Sequence, residues 1–395
     1  MSVLPSTDSE SSSLHSGLPA RPPSNWRRTS SSSSSGGHVF QHTHYHFRRH
    51  PEKSESEPSL LLEWSARAHR KGGFPRVIAS DGYRVKSPGL RTYRWVGVDL
   101  GDISWWVAML FLVGSLVWCI NGIASFCFFT RTDTVTANLE AWSAFAGGTL
   151  FFVGAILSYI ESINPHPDIT FGHEIHSDVV EPLTGSSTRR RHFGKHLPRP
   201  YKGKVDEGDN GRSSPSTNQY RAWSWFIPPR SLLRPLSIGF VANVIQLYGA
   251  TVFEISVILG IPGVLAAEST ADRSPSGVLP WDTKIGWMAG YWGCQVYAAP
   301  GFVISGIVFM IEAQRQWYKP IVWGRGALGW HVGFWNALGG MGFLLCGIFG
   351  IWRETSAPDE AVQKWGTAFS TFWGSWAFLI GSYIQYFETL NPHAA

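Results

Sequence analysis

Three times along this 395-residue chain the same stripe of residues recurs inside an apolar stretch long enough to cross a bilayer, and each copy ends on a glutamate. The first copy is Gly147, Phe151, Gly154, Ser158 and Glu161; the second is Ala298, Phe302, Ser305, Phe309 and Glu312; the third is Gly374, Phe378, Gly381, Gln385 and Glu388. Steps of four and three place all five positions on one helix face. Each segment therefore shows its neighbours a small residue, a phenylalanine, a second small residue and a carboxylate, the pattern of a helix-packing seam with a charged end. The outer copies agree further, since SYIESINPH at 158–166 aligns with QYFETLNPH at 385–393, and such self-similarity predicts an internal repeat.

The rest of the chain divides into polar tracts and very apolar ones. Six nearly uncharged stretches, at 103–129, 141–160, 236–260, 285–311, 327–351 and 367–387, each reach the roughly 20 residues needed to span hydrocarbon. The reading is an all-α polytopic membrane protein with six transmembrane helices arranged as three related hairpins. The hairpins are expected over 91–165, 223–320 and 321–395. Gly114 and Gly122, with counterparts at Gly339 and Gly347, are expected to let the helices approach closely. The serine-rich start, 1–37, has no short apolar core, so the first span is expected to serve as the signal anchor. The four cysteines lie in the predicted spans without metal-ligand spacing and read as small apolar residues.

Lysine and arginine in the short loops and flanks set the expected orientation. Arg84, Lys86, Arg91 and Arg94 precede the first span, Arg189–Arg191 and Arg230 lie between the second and third, and Arg315, Lys319 and Arg325 lie between the fourth and fifth. The alternate loops are poor in basic residues or balanced by acids. Both termini, and the ends of spans two, four and six that carry the glutamates, are thus expected on the cytoplasmic side. The net charge of +5 then reflects cytoplasmic loops and implies no nucleic-acid partner.

Residues 1–90 and 166–222 are low-complexity and polar, with too little apolar surface to offset the entropy of folding. They are expected to be disordered cytoplasmic segments through which other proteins dock. His42, His44 and His46 alternate in the tail, and His173, Glu174 and His176 form HEIH in the loop, one residue short of the HExxH helix spacing. Neither cluster predicts a catalytic zinc, and no metal or cofactor is expected. Trp225 and Phe226, just before the third span, read as an interfacial anchor.

Within the spans, Gln246, Glu254, Gln295, His331 and Asn336 form a candidate intramembrane polar site, either packing glue or a solute path. The glutamates Glu161, Glu312 and Glu388 pose a sharper question, because a carboxylate in a helix's last turn opposes the macrodipole. One reading pairs them with Arg94, Arg234, Lys319 or Arg325. The other makes them a cytoplasmic vestibule that gathers cations or protons.

MLFLVGSLVWCI at 109–120 followed by GTLFFVGAILSYIE at 148–161, with WAFLIGS at 376–382, resembles the two-helix membrane hairpins of the YrhK type. VANVIQLYGATVFEIS at 241–256, GFVISGIVFMIEAQRQWYKP at 301–320, ALGWHVGFWNALGG at 327–340 and STFWGSWAFLIGSYIQYFE at 370–388 resemble a family of multi-pass membrane proteins of filamentous fungi. The second resemblance covers about 95–393. It implies a eukaryotic membrane home and transfers no activity and no catalytic residue.

No Walker loop, GxSxG elbow, HExxH helix or Rossmann glycine pattern appears, so an enzyme is not expected. The leading reading is a non-enzymatic membrane protein that organises or senses. The alternative is a channel or secondary carrier, for which the paired broken helices of many carriers are missing.

Overall fold

The computed structural model describes residues 93–130, 134–164, 224–228, 233, 236–265, 285–313, 328–355 and 360–391, and the backbone alone of several short strands. Five of these strands lie ahead of the first helix. They are β1 (Trp26–Ser31), β2 (His44–Arg49), β3 (Leu60–Ser65), β4 (Arg76–Ser80) and β5 (Tyr83–Arg84), paired antiparallel in chain order. The rest of 1–92, and all of 165–223 with its HEIH cluster, lie outside the described residues.

The remainder is helical. α1 is Ile103–Cys127, α2 is Thr134–Ile163 and α3 is Ile238–Leu259. α4 runs through a π-helical turn at Gly286–Gly293 into Cys294–Ala313, and α5 is Leu328–Thr355. α6 opens with a second π segment, Val362–Ala368, and continues as Phe369–Leu390. Each apolar stretch of the sequence falls on one of these helices. Asp102 caps α1, its carboxylate accepting from the Ser104 N–H at 2.9 Å. Pro165 and Pro392 follow the ends of α2 and α6, where a residue without an N–H cannot continue the helix.

Every helix packs on its neighbour in sequence, and α6 closes back on α1. The contacts run antiparallel throughout: Ser104 meets Glu161, Ser158 meets Asn243, Gly249 meets Gly301, Gly306 meets Gly333, Gly342 meets Gly374 and Ser115 meets Ser382. The result is a closed up-and-down ring of six helices. The three hairpins of the sequence reading are not set apart in it, because α4 packs on α5, and α6 on α1, as closely as the two helices within each predicted hairpin. Closure places the starts of α1, α3 and α5 and the ends of α2, α4 and α6 on the side of the three glutamates, and the opposite ends of all six on the other.

Five helices, α1 to α5, are long and apolar enough to cross a membrane. α6 falls short of that hydropathy, and its burial pattern explains why. Ser370, Thr371, Ser375, Ser382 and Gln385 turn inward, while Trp376, Ile380 and Tyr383 face out. The whole ring follows this inside-out rule. Val113, Leu116, Ile120, Val244, Ile304 and Ile348 are exposed on the rim, whereas Ser115, Asn243, Ser256, Ser305 and Glu312 are buried. An apolar exterior around a partly polar interior suits lipid as the surrounding solvent.

Glycine sets how closely the ring closes at three crossings. A methyl group on Gly342 would lie 2.7 Å from the Gly374 Cα, one on Gly301 2.9 Å from the Gly249 Cα, and one on Gly306 2.7 Å from the Gly333 carbonyl oxygen. At these points backbone rests on backbone.

Candidate functional site

Each of the six helices sends one phenylalanine to the centre of the ring: Phe111, Phe151, Phe253, Phe302, Phe343 and Phe378. Phe378 stands at the hub, its centroid 5.3 Å from Phe151, 5.5 Å from Phe343 and 6.0 Å from Phe302. Phe253 touches Phe343 at 5.4 Å and Phe302 at 6.0 Å, and Phe111 touches Phe151 at 5.5 Å. Trp118 caps the group from the side away from the glutamates, 4.7 Å from Phe343. The contacts are tilted or edge-to-face, the arrangement the ring quadrupole favours. Together they join opposite sides of the bundle.

The seam residues of the sequence reading supply much of this plug. Phe151, Phe302 and Phe378 are buried in it. The small residues make room around it: Gly154 lies under the Phe111 ring, Gly147 under the Trp118 indole, and Gly374 against Gly342. Ala298 is fully buried, its carbonyl oxygen 2.9 Å from where a Gly249 methyl would stand. Ser305 donates to the Phe302 carbonyl at 3.0 Å, and Gly381 lies beside the Asn336 side chain.

On one side of the plug the interior carries the three glutamates of the stripe. Glu161, Glu312 and Glu388 sit ten residues beyond their phenylalanines on the same faces, about 15 Å along the helices. All three are buried, at 4%, 1% and 1% exposure. Each has a partner. Glu161 accepts from the Ser104 hydroxyl at 2.9 Å. Of the basic residues expected to pair with them, Arg234, Lys319 and Arg325 lie outside the described residues.

Between glutamates and plug lies a cavity of about 10 Å³. Its floor is made by Phe111, Phe151, Phe302 and Phe378, and its polar wall by Gln246, Ser305, Asn336 and Ser382. Gln246 is 7% exposed, and Gln385, a turn from Glu388, is 9% exposed.

The five residues of the candidate intramembrane site are therefore not one site. The ring brings Gln246 and Asn336 together at the cavity. Glu254 lies beyond the plug, where Oε1 accepts from the Thr149 hydroxyl at 2.8 Å and the buried Oε2 has no partner among the described residues. Gln295 lies near the same end and accepts weakly from the Cys346 thiol at 3.8 Å, which accepts in turn from Thr371. His331 sits at the opposite end, half-buried, its ring edge-on to Trp330 at 5.1 Å. Antiparallel packing separates these residues, and the spacing along one helix carries no information about the level of the next.

Around the glutamates the two aligned stretches make the same bonds. Asn391 Nδ2 donates to the Arg94 carbonyl at 2.8 Å, and Asn391 Oδ1 accepts from the Arg94 N–H at 2.8 Å. Asn164 holds Ser224 in the same way, at 2.7 and 2.9 Å. Each amide also donates back to its own helix, to Phe387 and to Ile160 respectively, at 2.9 Å. Tyr386 donates to the Gly97 carbonyl at 2.7 Å, as Tyr159 does to that of Phe226 at 2.9 Å. Each Asn-Tyr pair thus clamps the strand leading into the next helix of the ring. Trp225 belongs to this strand and packs, half-buried, on the core, while Phe226 is exposed.

Sequence reasoning did not single out Phe111, Phe253, Phe343, Ser104 or Ser382 as parts of a site. The signal available was the recurrence of lone serines on apolar helices, where a hydroxyl is cheap to keep only if it faces inward.

The fold and its inside-out surface fit a multi-pass helical membrane protein. Compared with protein-family models, with curated proteins and with solved structures, the chain gives no match.

Proposed function

We infer that this is a six-span membrane protein that senses or organises and does not conduct. The observation that carries this reading is the phenylalanine plug, one ring from each helix, which stands across the interior between the glutamate end and the opposite end. α6 counts as the sixth span because its polar residues turn inward and its 22-residue length corresponds to about 33 Å.

A channel or carrier for a small cation is the second reading, favoured by the three buried carboxylates. Purified protein in liposomes distinguishes the two. The expected result is no sodium, potassium or proton flux above protein-free vesicles, in either direction of gradient. Saturable flux by the parent protein overturns the sealed reading and establishes the carrier.

A further inference from the structure

One carboxyl group stands apart from the recurring stripe. Glu254 follows Phe253 of the plug, half-buried, on the flank of α3 that meets α2. Its Oε1 accepts from the Thr149 hydroxyl at 2.8 Å, and Thr149 stands at the middle of the 30-residue α2, deep in the span. Its Oε2 is buried without a partner among the described residues. That oxygen lies against bare main chain, since a methyl group on Gly148 would stand 3.1 Å from it. Of the six seams in the ring, this one between α2 and α3 is the least closely packed.

An ionised carboxylate offers about four lone-pair sites, and when buried it needs a cation or several donors to replace water. Here a single hydroxyl answers it. Lys, Arg and His are absent from α1 to α4. Of the titratable groups on α2, Glu140, Tyr159 and Glu161 all stand nine or more residues from Thr149. Tyr291, Cys294 and Tyr297 belong to α4, on the other flank of α3. A neutral acid fits this surrounding where a charge does not. Oε1 is then the carbonyl oxygen that accepts from Thr149, and one uncharged O–H is all that goes unmet. We propose that Glu254 is a proton-binding site: the acid carries its proton in the closed ring and releases it only when the α2–α3 seam admits water. The site belongs to a seam and not to the lumen, so it stands whether or not the interior conducts.

Two measurements on the full chain in detergent test this. The first uses dicyclohexylcarbodiimide, an apolar reagent that reaches the seam from the rim, where Ile255 and Ile258 are exposed. The O–H of a neutral acid adds across one C=N bond of the reagent, its proton passing to nitrogen. The O-acylisourea so formed rearranges to an N-acylurea that keeps the whole reagent on the residue. Peptide mass mapping of the parent at mildly acidic pH should place an adduct at Glu254. The second measurement is equilibrium unfolding in mixtures of mild detergent and dodecyl sulfate. The fold holds a proton that the unfolded chain releases above about pH 4.3, so stability is lost as pH rises. Between about pH 5 and 7 the folding equilibrium constant of the parent should fall on the order of tenfold per unit relative to Glu254→Gln, which has no proton to lose. Parent and variant stabilities in constant ratio across that range overturn the proposal, because the carboxyl is then already ionised in the fold. So does a folded parent whose Glu254 stays unmodified at saturating reagent, a result that needs no variant and holds even if Glu254→Gln fails to fold.

Discussion

At the scale of single residues, the glycines separate into two kinds that the sequence does not tell apart. Gly154, a member of the recurring stripe, faces an aromatic ring edge, and a methyl there would stand 3.2 Å from Phe111. Gly342 and Gly306, outside the stripe, face backbone at 2.7 Å, where nothing can rotate away. Overpacking of this kind costs about 1 to 3 kcal/mol. Gly342→Ala and Gly306→Ala are expected at or above the top of that range, with Gly154→Ala well below them, in urea or thermal unfolding in detergent. Equal losses at all three would show that the backbones part easily, and that crossing distance is not set by these residues. The steps of three and four identify which face of α2, α4 and α6 is buried. They carry no register between helices, and register is what decides whether a glycine meets a ring or a main chain.

Among the elements, the clamps give the two aligned stretches a physical meaning. Asn164 and Asn391 each hold the incoming strand by two hydrogen bonds and their own helix by a third. At about 0.5 to 1.5 kcal/mol per neutral bond, Asn164→Ala or Asn391→Ala should destabilise by on the order of 1 to 3 kcal/mol. The two losses should add, because the clamps share no partner. Asn→Asp should be worse than Asn→Ala, since it sets a second acceptor against a backbone carbonyl. A double variant no less stable than either single would show that the clamps act as one unit. In the sequence, Asn-Pro after each stripe was legible as a helix stop, and its second role was not, because Arg94 and Ser224 lie 297 and 60 residues away from their clamps. The six-membered plug was half-legible for a related reason. Phe151, Phe302 and Phe378 recur in step, whereas Phe111, Phe253 and Phe343 come from helices that carry no shared stripe.

For the whole molecule, the even number of antiparallel helices ties orientation to a single choice. With the glutamate end in the cytoplasm, as the lysine and arginine distribution favours, the connections 131–133, 263–284 and 356–359 all face the other side. Glycosylation acceptors placed in these three should be modified in cells. Acceptors at 190–210 or near 320 should not, and modification there reverses the assignment for every loop at once. The ring carries one further meaning. The strand before α1 is bound to the last turn of α6 through Arg94 and Asn391, so covalent order is only one of six ways to string the same set of helices. A gene opened between α2 and α3, with its old ends joined, would encode the same contacts in rotated order. The architecture, taken as a set of contacts, has no first helix.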